Sequence, residues 1–199
     1  MQFELSEEHL MIQKAARDFA QNELKPGVIE RDEHQKFPAE EVKQLGELGF
    51  MGMMVSPDYG GSGMDTLSYV LAMEEISKID ASTSVCMSVN NSLVCYGLQE
   101  YCNEEQKQKY LTPLAQGKKD GELYIGAFLL SEPEAGSDAT SQRTTAEDMG
   151  DHYLLNGAKM WISNAPFADL AVVWAKNEEG VIQGLIVERG MDGFTDRKS

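Results

Sequence analysis

The hydrophobic period changes once along this chain, at "GKKDGE" (Gly117 to Glu122), and that change limits the fold more than any other feature. From Ser6 to about Ala115, apolar residues recur three or four apart, the spacing of one helix face. Ser6 can cap a first helix whose opening turn carries Glu7 and Glu8, with Met11, Ala15 and Phe19 on one side. Pro38 suits a first helical position, Val42, Leu45 and Leu48 form a stripe, and Gly49 ends it. "SPDYGGSGMD" (Ser56 to Asp65) is too rich in Gly and Pro to be regular, and Asp65 is placed to cap the next helix. A further helix is expected over roughly Ser82 to Tyr101, with Val85, Val89, Leu93 and Val94 inside; Asn103 opens a short one that Pro113 ends.

Beyond the switch, "LYIGAFLL", "YLLNGAKMWIS", "LAVVWAK" and "VIQGLIVER" read as strands. Asn156-Gly157 divides the second of these into two apolar runs and is a strong hairpin signal, because both central residues of a type I′ turn take positive φ. The expected fold is therefore α+β: an all-α domain over residues 1–120, then an incomplete antiparallel β-domain over residues 121–199, with no C-terminal helical bundle. About five strands leave an edge unpaired and a face uncovered. That imbalance reads as the first part of a longer protein.

Charge narrows the function classes. The 199 residues hold 17 Lys plus Arg against 33 Asp plus Glu, and a net charge of -16 repels nucleic acid and anionic membranes. Neither is an expected partner. No apolar run approaches the roughly 18 residues of a membrane span, and the N-terminus has no cationic-then-apolar pattern, so a cytoplasmic location is expected. The three cysteines, Cys86, Cys95 and Cys102, have no C-x-x-C spacing and read as reduced thiols in helical packing. Phosphate-loop, dinucleotide, nucleophile-elbow and zinc-protease patterns are absent. His9, His34 and His152 lie far apart among charged residues, so no metal site is expected.

Two stretches carry chemistry. In "FLLSEPEAGSDATS" (Phe128 to Ser141) an apolar run breaks at Ser131, Pro133 fixes the chain, Gly136 permits a turn or a close approach, and Ser137 and Asp138 present polar groups. Such a loop either bonds its own backbone or aims several donors at one planar or anionic ligand. In "KMWISN" (Lys159 to Asn164), Trp161 and Ser163 stand two apart, which on a strand places them on one face. Trp161 there is either core or a stacking surface.

Together these stretches make the chain recognisable. "LLSEPEAGSD" resembles the acyl-CoA dehydrogenase signature, "GDHYLLNGAKMWISNAPFADLAVVWAK" resembles that family's next segment, and "VSPDYGGSGMD" and "LAMEEISKIDAS" are similar to its N-terminal helical domain. The resemblance implies a homo-oligomeric enzyme around FAD that desaturates an acyl-CoA thioester between Cα and Cβ and passes electrons to an electron-transferring flavoprotein. It also implies that Phe128, Leu129, Leu130, Ser131, Glu132, Pro133, Glu134, Ala135, Gly136 and Ser137 line the flavin, with Ser131 donating to the pyrimidine end. Trp161 and Ile162 would lie at the isoalloxazine, Ser163 would donate to its N5/O4 edge, and Ser137 would meet the acyl-CoA.

The resemblance places the family's glutamate base past Ser199, and Glu132 and Glu134 do not match it, so no catalytic residue is assigned. Leu129 stands where the family pattern has a small residue, and about five extra residues separate Gly117 from Ser131. The segment from Asn164 to Phe194 is similar to the glutaryl-CoA dehydrogenase branch, yet Ser84 falls where that branch carries an arginine for a distal carboxylate, which points to a neutral, short, straight acyl chain. The competing reading is a non-catalytic flavin- or acyl-CoA-binding module, or a subunit completed by another chain.

Overall fold

The computed structural model describes residues 4–196. The chain divides after Tyr124 into a helical unit and a sheet unit that begins at Ile125.

In the helical unit, α1 (Glu7–Phe19) starts on Ser6, whose hydroxyl accepts from the His9 N–H while the His9 ring accepts from the Ser6 N–H. The helix then widens into a π-helical turn over Ala20–Leu24. The buried residues are Ala16, Phe19, Ala20 and Leu24, whereas Met11 and Ala15 are exposed. The expected stripe is therefore displaced by one residue, leaving only Phe19 in place. Next come α2 (Val28–Glu33) and α3 (Ala39–Glu47), with Pro38 in the capping position and Gly49 in a left-handed conformation, φ 77°. Val42 and Leu45 are fully buried while Leu48 is half exposed. Asp65 caps α4 (Thr66–Ser77) by accepting from Ser68 N–H at 2.8 Å, as its position suggests.

The long helix is assembled from α5 (Ala81–Ser88), a π-helical segment over Val89–Cys95, and α6 (Tyr96–Tyr101), and its cap is Asp80. The π segment widens the turn, so the buried Val89 and Val94 fall five apart, and Val85 and Leu93 face outward. The amide side chains of that segment brace the unit. Asn90 Nδ2 donates to the carbonyls of Met51 and Leu114, and Asn91 accepts from Met53 N–H and donates to Phe50 O. After α7 (Glu104–Gln106) and a third π-helical turn (Lys107–Leu111), α8 (Thr112–Gln116) runs through Pro113 and stops at Gly117, φ 66°. Pro113 lies in the first turn of α8, where a missing N–H costs least. The extra residues beyond Gly117 form a small hairpin of β1 (Lys118–Lys119) and β2 (Glu122–Leu123), turning on Asp120 and Gly121 at φ 53° and 85°. Asp-Gly, not Asn-Gly, is thus the dipeptide that makes the primed turn.

The sheet unit centres on β6 (Leu170–Lys176), with β3 (Gly126–Leu129), β4 (Thr145–Asp148), β5 (Tyr153–Asn156) and β7 (Ile182–Glu188) around it. β7 pairs antiparallel along the whole of β6, and β4 pairs antiparallel with β5. β3, however, runs parallel to β6 from Gly126↔Leu170 to Leu129↔Val173, and β4 meets it in parallel at Thr145↔Lys176. The sheet is open as expected but mixed in direction. The cause is the long irregular connection over 157–169, which carries the chain back so that β6 enters beside β3 in the same sense.

Asn156-Gly157 does not turn the chain. The β4–β5 hairpin closes through Met149 N–H to His152 O with Gly150 at φ 96°. Gly157 answers a different need: a Cβ there would stand 2.4 Å from Thr144 Oγ1 and 2.7 Å from Thr144 Cα. One face of the sheet packs Ala127, Leu129, Ala171, Val173 and Val187 together with Ala168. At roughly 25 cal/mol per Å² of apolar area removed from water, such burial is what holds so small a sheet. On the other face Phe128 meets Trp174 edge-on, ring centroids 5.7 Å apart.

Candidate functional site

Two irregular segments leave the ends of strands and meet: residues 130–144 after β3, and residues 157–169 after β5. Their junction is one backbone bond, Met160 N–H to Ser131 O at 2.9 Å. Beneath it lies Lys159, whose ammonium donates to Leu130 O at 3.1 Å, Glu132 Oε1 at 2.8 Å and Gln142 Oε1 at 2.8 Å. The Lys159 and Glu132 side chains are 6% and 2% exposed.

Glu132 is fully engaged. Besides Lys159 it accepts from the N–H groups of Arg143 and Thr144 and from the Thr144 hydroxyl. Burial alone would raise its pKa, but these donors outweigh burial and hold the carboxyl at about 2. A carboxylate so held is no general base near neutral pH.

The predicted residues separate into three groups. Leu129 and Ala135 are buried, and Leu129 belongs to the sheet core beside Ala127 and Ala171, so its size is absorbed by packing. Glu132 N–H bonds Ala135 O and Ala135 N–H bonds Glu132 O, which makes Pro133 and Glu134 the exposed tip of a tight turn. Phe128 and Leu130 are half-buried. The third group is open: Ser137, Ser163 and Trp161 are exposed, and Ser131 is half-buried. Among the described residues, the hydroxyls of Ser131, Ser137 and Ser163 meet no protein partner. Asp138 takes the self-bonding role weighed for this loop, accepting from the Thr140 and Ser141 hydroxyls, which hold its pKa below the usual carboxylate range. A Cβ on Gly136 would meet nothing within 4 Å, so that backbone stays approachable from outside.

"KMWISN" is not a strand. Trp161 and Asn164 take φ 60° and 68°, which breaks any period of two, so the same-face argument for Trp161 and Ser163 fails. Ile162 instead packs onto the sheet core, and Trp161 is left 82% exposed. Asn164 Nδ2 donates to Gly126 O at 3.2 Å, and Arg189 donates to Ala165 O and Ala168 O, fixing the far end of the segment. Lys159, Gln142, Thr144, Asn164 and Arg189 escape a reading of the sequence. Only Lys159 offers a signal there, as a cation inside an otherwise apolar run.

Comparison with known proteins fits this arrangement. The pattern "Acyl-CoA dehydrogenase, N-terminal domain" matches residues 6–118, and "Acyl-CoA dehydrogenase, middle domain" matches residues 127–199. The chain belongs to the acyl-CoA dehydrogenase family. It is 44% identical over 98% of its length to the short-chain specific acyl-CoA dehydrogenase of Clostridium acetobutylicum, covering 51% of that protein. To the human mitochondrial short-chain specific acyl-CoA dehydrogenase it is 47% identical over 96% of its length, covering 46% of that protein.

Among solved structures, a chain from the electron transferring flavoprotein structure of Acidaminococcus fermentans superposes with a TM-score of 0.94 at 43% identity, over 100% of this chain and 52% of that one. Butyryl-CoA dehydrogenase from Megasphaera elsdenii gives 0.90 at 39%, over 98% and 52%. Glutaryl-CoA dehydrogenase from Mycobacterium smegmatis in complex with FADH2 gives 0.90 at 37%, over 96% and 48%. This acyl-CoA dehydrogenase chain thus spans about half the length of the relatives it matches.

The expected cytoplasmic location is corrected by the same relatives. Five mammalian short-chain specific acyl-CoA dehydrogenases, 44% to 47% identical, are mitochondrial. The expectation rested on missing hydrophobic runs, and such runs do not distinguish one aqueous compartment from another.

Proposed function

We propose that this chain forms the N-terminal domain (1–120) and the flavin-facing domain (121–199) of an FAD-dependent enzyme that dehydrogenates a short-chain acyl-CoA between Cα and Cβ. The observation that carries the reading is the junction of Ser131 and Trp161 through Met160 N–H, which sets unpartnered hydroxyls and an exposed indole on one surface. A flavin fits such a surface, since its ring offers an apolar plane to the indole and polar edges to hydroxyl donors. FAD bound there supplies the two-electron acceptor for the hydride leaving Cβ. Ser131 and Ser163 donate to the ring edge, Phe128 to Ser137 form the wall beside it, and Ser137 meets the acyl-CoA. The FADH2 complex of the similar Mycobacterium smegmatis chain supports that cofactor.

The short-chain specificity of the similar Clostridium acetobutylicum and human proteins supports a short-chain substrate. So does Ser84, which is 1% exposed and bonded to Ser77 at 2.6 Å, leaving no cation there to greet a distal carboxylate. The electron acceptor downstream is an electron-transferring flavoprotein, and the working assembly is a homo-oligomer, both by family resemblance.

The thioester α-proton needs a carboxylate base in a dry pocket. Glu132 and Asp138 are both held ionised by their donors, and neither is free to take it. Residues 1–199 alone therefore show no dehydrogenase activity. Anaerobic butyryl-CoA added to the FAD-loaded chain leaves the flavin spectrum oxidised; bleaching of the visible flavin band would refute this. A chain that takes up no FAD at all would sink the cofactor assignment itself.

A further inference from the structure

Trp161 stands in a conformation that a large side chain rarely adopts. At φ 60° it occupies the left-handed region, which costs on the order of 1 kcal/mol or more for a residue with a Cβ, and its 82% exposed ring recovers little of that by burial. Something on either side must hold it there. On the C-terminal side the pin is apolar, since Ile162 packs into the sheet core. On the N-terminal side the pin is Lys159, two residues before Trp161, with three acceptors from two separate stretches of chain, Leu130 O and Glu132 on one and Gln142 on the other.

The three bonds do more than neutralise charge. One acceptor is the backbone carbonyl directly before Ser131, and the Ser131 carbonyl itself receives Met160 N–H. Lys159 therefore fixes the Ser131 backbone and the Trp161 backbone in one unit. No residue type other than a long cation could donate to all three acceptors from this depth, because an amide carries two N–H donors on a shorter stem and a hydroxyl only one.

We propose that Lys159 is a positioning residue: buried beneath the loop, it sets the orientation of Trp161 relative to Ser131 and so preorganises the wall against which a planar cofactor stacks. The proposal deepens the flavin reading above and rests on it for the choice of Trp161 as the group that matters. A preorganised indole saves the ordering cost that a mobile one would incur on binding.

The chain contains two tryptophans, Trp161 and Trp174, which makes the test direct. The full chain labelled with 5-fluorotryptophan gives two ¹⁹F resonances, assigned by Trp174→Phe. Lys159→Met is expected to move the Trp161 resonance by more than its linewidth and to make it more accessible to a paramagnetic quencher, while the Trp174 resonance stays. Lys159→Arg, which keeps the charge and several donors, returns the Trp161 line part of the way. A Trp161 resonance that does not respond to Lys159→Met overturns the proposal.

Should Lys159→Met unfold the unit, both resonances collapse together, and Glu132→Gln then decides: a shift confined to Trp161 supports positioning, and no shift overturns it. Titration with FAD adds the second arm. In wild type FAD perturbs the Trp161 line, and Lys159→Met needs about tenfold more FAD for the same change. If Lys159→Met moves Trp161 but FAD leaves the wild-type line untouched, positioning stands and the flavin reading falls.

Discussion

Arg31 in the helical unit and Lys159 in the sheet unit are both cations withdrawn from water, and they are used in different ways. Arg31, 11% exposed, donates to Glu41 at 2.6 Å, Asp80 at 3.0 Å and Leu24 O at 2.7 Å. Its acceptors come from α3, from the cap of α5 and from the π turn that ends α1, so it ties regular elements to one another. Lys159 ties two segments without regular structure. Where helices already have their own hydrogen bonds, a buried cation adds cross-bracing; where a loop has none, it supplies the shape. The second use is the one found next to the exposed hydroxyls and indole.

The largest effect expected from this contrast is on the helical unit. Arg31→Met leaves Asp80, whose side chain is 6% exposed, and Glu41 facing each other without a cation. Breaking a buried pair from one side costs about 3–5 kcal/mol. Both tryptophans lie beyond Tyr124, so indole fluorescence reports the sheet unit and ellipticity at helix wavelengths reports mainly the other. In urea, the ellipticity transition should move to lower concentration while the fluorescence transition holds. Equal shifts in both probes would break the claim that each cation serves its own unit.

A smaller effect of opposite sign is expected at Trp161. Trp161→Asn removes a large residue from positive φ and puts there one that tolerates it, while little buried area is lost. The fluorescence-independent melting temperature, followed by ellipticity near the β-sheet minimum, should rise by roughly 2–6 °C, about 0.5–1 kcal/mol. Affinity for FAD should fall in the same variant. A loss of stability instead would mean that Trp161 is held by packing, and that the sheet unit, like the helical unit, carries no strain at this point.

The same contrast governs how much the residues alone reveal. The helical unit is legible where a cap or stop acts locally: Ser6, Asp65 and Gly49 each work through bonds or dihedrals a few residues away. Its buried faces are less legible, because the π turns at Ala20–Leu24 and Val89–Cys95 add a residue to the period and rotate every later side chain of the helix. In the sheet unit the strands β3, β6 and β7 are visible as apolar runs, but their direction depends on a connection whose path no periodicity encodes. The candidate site is legible as residue types and not as roles. Ser131 and Trp161 can be named, whereas the bond that joins them and the partners of Lys159, 17 and 27 residues away at Gln142 and Glu132, arise only when the chain folds back.

The smallest expected effect separates the two units by salt. Glu75 in α4 and Glu132 in the sheet unit are both held at about 2, below an ordinary carboxyl near 4.5. For Glu75 the chief cause is the hydrogen-bonded Arg17, followed by Lys78, and both cations are 52% exposed. Glu132 relies on backbone N–H groups, the Thr144 hydroxyl and the enclosed Lys159. A depressed folded pKa gives stability that is fully present above the unfolded value and is lost as pH falls toward the folded one. Both carboxylates therefore cease to stabilise between about pH 4.5 and pH 2. Counter-ions reach the exposed pair and not the enclosed one, since screening acts on charges in contact with solvent. Raising salt from about 0.05 M to 1 M should weaken the acid sensitivity of the ellipticity transition by a few tenths of a kcal/mol and leave that of the fluorescence transition unchanged. Equal screening of both would show that the Lys159–Glu132 pair is wet in solution, and the sheet unit would then owe the shape of its loops to something other than an enclosed charge.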